Sequence, residues 1–302
     1  MKRNIAKNPD DNYITPKLAG TVFSVAILAA IISAGVFSVI VSGVGIKRED
    51  DTYIYLSFVL PSLFVALFVA ATFIVMKTDF SLIGGFFDTG FKKRYLFVLL
   101  LAAAGMLFGL SELNNYFIKF LGLFGYVEPK SSLPDYSPLS LVLCILFIAV
   151  VPPLVEETVF RGLVQGGIKK WGYMSVILTA AMFSLFHLSP AKTVYQFVCG
   201  LLFSLIAMKT GSVIPTIIVH FLNNLLIILD IYFHIFSFVA DNRILFTVLG
   251  LLALAGALAI IFTDGRKIER SVERSGAAAF FINAAVGLFI GTIVWVASLF
   301  VG

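Results

Sequence analysis

The chain contains 302 residues, of which 60% are hydrophobic and only 13% are charged. Soluble domains carry about 25% charged residues, so this composition excludes an ordinary water-soluble protein and indicates a chain embedded in a lipid bilayer. The net charge of +5 predicts no nucleic-acid partner, because the basic residues are spread over short loops and do not cluster on one face.

Nine apolar stretches are long enough, or nearly so, to cross a hydrocarbon core of about 30 Å as helices. They are 19–45, 53–76, 95–117, 138–160, 173–188, 194–208, 212–239, 244–263 and 277–301. Two of them are short for a span, so we predict an all-α, polytopic transmembrane helical bundle with eight or nine spans. No connection between them is long and polar enough to fold alone, so residues 1–302 are predicted to form a single integral-membrane domain.

The basic residues predict an orientation in the membrane. Most of the 22 lysines and arginines fall in alternate loops, beginning with the segment before the first apolar stretch. Because cytoplasmic loops are enriched in Lys and Arg, the N-terminus is predicted to be cytoplasmic and the C-terminus, after nine crossings, outside. The predicted location is the plasma membrane of a prokaryote.

Polar residues are distributed unevenly among the spans. Residues 19–117 and 244–301 supply spans that are almost free of ionisable side chains, whereas 138–239 places Glu, Arg, His, Asn and Asp within apolar helices. An ionisable side chain inside a bilayer costs a few kcal/mol, so it normally faces a protein interior or a wet cavity and marks a function. We therefore predict a functional core at 138–239, flanked by accessory spans.

The fourth span contains two adjacent carboxylates in the sequence PPLVEETVFRG. The two prolines predict that its helix starts or kinks just before the glutamates. Glu157 precedes Arg161 by four residues, a spacing that allows an ion pair on one helix face. Glu156 lies about 100° around the helix, which leaves it to face a cavity.

Polar groups on two further helices can meet these carboxylates. In an antiparallel helix pair joined by a short turn, Glu156 and His187 lie at a similar depth, and His220 shares a helix face with Asn224. A glutamate and a histidine can together deprotonate a water, while a second histidine and an amide can donate hydrogen bonds to an oxyanion. This combination predicts hydrolysis of an acyl compound.

Three motifs occur in order on successive predicted membrane helices. They are EExxxR (Glu156, Glu157 and Arg161), FxxxH (Phe183 to His187) and HxxxN (His220 to Asn224). Together they resemble the CAAX prenyl endopeptidase and bacteriocin-processing (CPBP) family, also called Abi proteases. The resemblance covers about residues 138–239.

The resemblance implies an all-helical intramembrane protease of the glutamate type, with a cavity open toward the cytoplasm. The implied substrate is a membrane-associated or lipidated peptide or protein. The implied roles are activation of water by Glu156 and His187, an oxyanion site at His220 and Asn224, and orientation of the helix by Glu157 and Arg161.

Two other classes of function remain as hypotheses. Glu156, His187 and His220 are also legitimate zinc ligands, and some members of the family have been labelled metalloproteases, so a zinc-dependent intramembrane metalloendopeptidase is one alternative. The HExxH motif is absent and the oxyanion role leaves too few ligands, so no cofactor is predicted. A proton-coupled transporter or a non-catalytic membrane scaffold is the other alternative, although 1–130 and 240–302 contain no second copy of the polar cluster.

Overall fold

The computed structural model describes residues 14–129, 133–265 and 276–300, and every regular element within these ranges is a helix. The helices are α1 (Pro16–Val44), α2 (Asp51–Val75), α3 (Ser81–Gly84), α4 (Arg94–Gly122), α5 (Pro138–Trp171), α6 (Tyr173–Phe186), α7 (Thr193–Thr210), α8 (Ile214–Phe233), α9 (Ser237–Asp241), α10 (Arg243–Phe262) and α11 (Ala277–Ser298). All except α3, α6 and α9 are long and apolar enough to cross a membrane, which makes 8 candidate spans. The protein is an all-α integral membrane protein, as predicted.

Several basic residues that entered the predicted orientation lie outside the described residues. They are Lys2, Arg3, Lys7, Lys130, Arg266, Lys267, Arg270 and Arg274.

Helix α6 forms a hairpin with α7. Its 14 residues rise about 21 Å, which is less than the thickness of a hydrocarbon core. Gly200 of α7 lies against the backbone of Ala180 of α6, so the two helices are in close contact. The turn between them contacts the last helix, because Trp295 Nε1, near the end of α11, donates to Thr193 Oγ1 at 2.8 Å. Each of the nine predicted stretches corresponds to a helix, and α6 is the one that is shorter than a membrane span requires.

The first and last helices are parallel. Ser24 Oγ of α1 donates to Asn283 O of α11 at 2.6 Å and accepts from Gly287 N at 3.0 Å. One turn further along α1, Ile27 lies beside Gly291. Eight alternating spans would leave α1 and α11 antiparallel, so α6 and α7 are either both passes, as the nine predicted stretches require, or together one re-entrant hairpin. The described chain therefore begins and ends at opposite ends of the bundle, the arrangement that nine passes predict.

Two apolar clusters form the core of the bundle. The first buries side chains from α1, α2, α5, α6 and α11, and the second buries side chains mainly from α4, α7, α8 and α10. Phe160 and Phe183 belong to the first cluster, and Phe203 belongs to the second. The four helices from α5 to α8 therefore meet along the seam between the clusters, where the polar residues of the chain are placed.

Helices α4 and α10 cross at a pair of glycines. A Cβ atom added to Gly109 would lie 2.8 Å from Leu251 N, and one added to Gly250 would overlap the backbone nitrogen of Gly109. Such a backbone contact requires the absence of a side chain, and small residues allow the same close approach in many membrane helix pairs.

We therefore expect Gly250→Ala to lower the stability of the purified protein by about 1–3 kcal/mol, because the methyl group forces α4 and α10 apart. The matched control is Gly256→Ala on the same helix, where the new Cβ would meet only Leu101 Cδ1 at 3.5 Å. The control should be neutral or slightly stabilising, since alanine favours a helix. Thermal unfolding in detergent measures both, and equal midpoints for the two variants would contradict the close crossing.

Candidate active site

Helix α5 continues through its two prolines, and its α-helical segment with the two glutamates begins at Val151, which agrees with the expected start or kink. Pro152 and Pro153 lack N–H groups, so the carbonyl of Ile148 has no donor either four or five residues further along the helix. The segment Ile145–Val150 before them is π-helical. Asn224 of α8 supplies a donor in their place, because its Nδ2 lies 2.9 Å from Ile148 O. This hydrogen bond ties α8 to α5 just before the two glutamates.

Glu157 is the centre of a buried ionic network. Its Oε1 accepts from Arg161 Nη1 at 3.0 Å, which is the ion pair that the four-residue spacing allows. The same oxygen lies 3.0 Å from Nδ1 of His220, a contact that the sequence did not predict. The side chains of Glu157 and Arg161 are both 0% exposed. A buried charge is tolerated only with such partners, so this network links α5 firmly to α8.

Two aromatic rings enclose the guanidinium of Arg161. Its Cζ lies 4.2 Å from the ring centroid of Phe183 on α6 and 5.2 Å from that of Phe203 on α7. Arg161 Nη2 also donates to Gly200 O of α7 at 3.4 Å. The positive charge is thus stabilised by a carboxylate and two π faces, and Arg161 joins α5 to both helices of the hairpin.

His187 lies at the C-terminal cap of α6. Its Nδ1 is 2.9 Å from Phe183 O, and the helix ends there because Leu188 follows with a positive φ of 49°. A carbonyl can only accept a hydrogen bond, so Nδ1 carries the proton and Nε2 of the neutral ring carries the lone pair. The ring packs edge-on against Phe183, with 4.8 Å between centroids.

His220 is held in a comparable way on α8. Its Nδ1 donates to the Glu157 carboxylate, which leaves Nε2 as the nitrogen without a hydrogen bond among the described residues. Its ring packs against Phe203 at 5.4 Å and against Phe183 at 6.3 Å. The two imidazoles therefore share Phe183 as a neighbour, and each is oriented through Nδ1.

Glu156 differs from its neighbour Glu157. Glu156 makes no hydrogen bond in the described part of the chain, whereas Glu157 uses Oε1; the Oε2 atoms of both glutamates are buried without a partner. The charged groups that act on it include His220, Arg161 and Lys192. No hydrogen bond joins Glu156 to His187 within the described ranges, so joint action of the two on a water requires that water to lie between them.

The ligand set of the zinc hypothesis is not assembled as a coordination site. Within residues 14–129, 133–265 and 276–300, no three His, Cys, Asp or Glu side chains are grouped closely enough to hold a metal ion. The arrangement of Glu156, His187 and His220 therefore does not fit a three-ligand metal centre, and no step through a metal follows from it.

Sequence reasoning missed two residues that contact the predicted site. The hydroxyl of Tyr195 on α7 donates to Asn223 Oδ1 at 2.8 Å, and Asn223 Nδ2 donates to Asn224 Oδ1 at 3.3 Å. Neither Asn223 nor Tyr195 is a defining residue of the three motifs. Nothing in the sequence brings Tyr195 to α8, because that contact depends on how the hairpin packs.

We expect Glu157→Gln to destabilise the protein by about 3–5 kcal/mol, because it leaves the buried Arg161 without its counter-charge. The matched control is Glu112→Gln, which removes the partner of Arg243 at 3.5 Å, where the arginine side chain is 58% exposed. The Glu112 side chain is only 10% exposed, but Arg243 stays hydrated when its partner is lost, so the control should cost no more than about 1 kcal/mol and unfold near the wild-type temperature. Thermal unfolding in detergent compares the two, and a Glu157→Gln protein as stable as the control would show that the network is dispensable for stability.

Residues 138–226 match a family model described as type II CAAX prenyl endopeptidase Rce1-like. This segment contains α5, α6, α7 and the part of α8 that carries His220 and Asn224, so it includes the whole of the network described above. No curated protein and no solved structure matched the chain. Residues 138–226 are therefore similar to the type II CAAX prenyl endopeptidases of the Rce1-like family.

Proposed function

We propose that the protein is an intramembrane endopeptidase of the glutamate type, which hydrolyses a peptide bond in a membrane-associated or lipidated peptide or protein. One observation carries the proposal. A carboxylate with a buried, unpartnered oxygen, Glu156, occurs in the same helix seam as two imidazoles, His187 and His220, that are each held through Nδ1. Burying such groups in an apolar bundle costs free energy, so their presence together normally marks a functional site.

The first step of the proposed reaction is activation of water. Glu156 and the Nε2 atom of His187 receive the proton of a water molecule between them, and the water oxygen attacks the carbonyl carbon of the scissile bond. The tautomer of His187 supports this role, because its Nδ1–H is directed to Phe183 O and its Nε2 lone pair is the one left to act as a base.

The second step is collapse of the tetrahedral intermediate. Asn224 has one amide N–H besides the one that it donates to Ile148 O, and His220 donates through Nε2 when both of its ring nitrogens are protonated. These two donors stabilise the oxyanion. The C–N bond then breaks, and the leaving amine takes the proton that came from the water. The products are a carboxylate and an amine, and no cofactor enters the balance.

The proposed substrate class follows from the family description and from the membrane setting. A prenyl group attached near the scissile bond would partition into the bilayer and bring the peptide to the depth of the seam. We propose a C-terminal CAAX peptide with an isoprenoid anchor as the first substrate to test. We also propose that the protein lies in the plasma membrane of a prokaryote with its N-terminus in the cytoplasm.

We expect Glu156→Gln to lower kcat on a farnesylated CAAX peptide by about 100- to 10,000-fold, because the amide cannot take a proton from water. The purified protein in detergent is compared with Glu112→Gln, which lies on α4 outside the seam and should retain wild-type kcat. Peptide cleavage is followed by mass spectrometry. Full turnover in Glu156→Gln would exclude Glu156 as the base.

Chelation separates this mechanism from the metal hypothesis. With no metal in the reaction, 1,10-phenanthroline should leave peptide cleavage unchanged. Loss of cleavage on chelation, restored by added zinc, would support the metalloendopeptidase instead. Solute uptake into proteoliposomes that is abolished by Glu156→Gln would support a transporter.

A further inference from the structure

A directed chain of hydrogen bonds crosses the seam beside the catalytic residues. It begins at the Tyr195 hydroxyl on α7, passes through the side chains of Asn223 and Asn224 on α8, and ends at the carbonyl of Ile148 on α5. The three donor-to-acceptor distances are 2.8, 3.3 and 2.9 Å. Helix α4 also contributes, because Asn114 Oδ1 accepts from the backbone N–H of Tyr195 at 3.3 Å. Four helices therefore hold this chain in place.

These hydrogen bonds restrict the orientation of the Asn224 amide. Its Oδ1 is occupied by the donor from Asn223, and one of its N–H groups is occupied by Ile148 O. Rotation of the amide by 180° would set two donors against each other at Asn223 and two acceptors against each other at Ile148. The orientation in which Asn224 offers its remaining N–H is therefore favoured over the one in which it would offer an oxygen.

The Ile148 carbonyl, which can only accept, sets the direction of these hydrogen bonds, and Tyr195 reinforces that direction from the other end. A tyrosine hydroxyl that donates to Asn223 Oδ1 fixes which end of the Asn223 amide is the acceptor, and so leaves Nδ2 to donate to Asn224. In a medium of low dielectric constant, successive hydrogen bonds of this kind reinforce each other. Without the hydroxyl, the Asn223 amide is free to turn, and its oxygen would then face Asn224 Oδ1 and displace the Asn224 amide.

We propose that Tyr195 and Asn223 are positioning residues that keep Asn224 oriented as a hydrogen-bond donor toward the oxyanion. This inference rests on the proposed function of Asn224. An oxyanion is stabilised by a donor and repelled by an amide oxygen, so a turned Asn224 weakens the transition state and leaves substrate binding unchanged.

The first test is Tyr195→Phe, which removes only the hydroxyl. We expect kcat on the farnesylated CAAX peptide to fall by about 10- to 100-fold with an unchanged KM. The matched control is Tyr232→Phe, since the Tyr232 hydroxyl also bonds a carbonyl, that of Pro134 at 3.0 Å, but lies outside the chain. It should keep the wild-type kcat. A purely structural role of Tyr195 would appear as a lower unfolding midpoint or a changed KM, and either result with normal kcat would overturn the proposal.

A second variant keeps the proposal testable if Tyr195→Phe does not fold. Asn223→Asp still accepts from Tyr195 but has no N–H to donate to Asn224 Oδ1, so we expect the same loss of kcat. In an Asn224→Ala background, neither substitution should lower kcat further, because both act through Asn224. Additive losses would overturn the positioning role.

The single variant Asn224→Ala separates this proposal from the proposed function. We expect it to lower kcat by about 100- to 1000-fold, as for the loss of one oxyanion donor. Unchanged kcat in Asn224→Ala would overturn the oxyanion role itself. A large loss in Asn224→Ala with wild-type kcat in both Tyr195→Phe and Asn223→Asp would overturn only the positioning role.

Discussion

The structure depends on one buried carboxylate. Glu157 is completely shielded, and its Oε1 accepts from Arg161 and His220 at 3.0 Å each. A charge in an apolar bundle requires compensation from groups that are themselves held in place. Arg161 is held by α6 and α7 through Phe183 and Gly200, so the requirement of one carboxylate fixes the relative positions of the four helices from α5 to α8.

The same requirement applies to the backbone. The prolines of α5 remove the donors that the Ile148 carbonyl would use, and Asn224 replaces them from α8. His187 in turn binds the carbonyl of Phe183 where α6 ends. In both places a backbone group that lacks a helical partner is satisfied by a side chain from the predicted site. The termini and distortions of the helices therefore orient the groups to which we assign the chemistry.

Much of the prediction rested on patterns among residues that are close in sequence. Apolar length located nine of the eleven described helices, all except the short α3 and α9, and the four-residue spacing of Glu157 and Arg161 led to their ion pair. Both predictions depend on residues close in sequence. The expectation of a start or kink at the prolines of α5 corresponds to the change from π-helical to α-helical geometry at Val151, where Asn224 of another helix binds the Ile148 carbonyl. The bond between His220 and Glu157 was not predicted, because it joins helices whose rotation about their axes is set by packing.

The sequence by itself determined the class of the protein, the positions of its helices and the set of acidic, imidazole and amide side chains that share one segment. Hydrophobicity and helical periodicity are properties of neighbouring residues, so they can be read without coordinates. Only the tertiary structure decided that Nδ1 of His220 is engaged, that Glu157 and not Glu156 binds it, and that Tyr195 reaches Asn223. These choices depend on the crossing of helices far apart in sequence, where close packing and the need to satisfy buried polar groups act together.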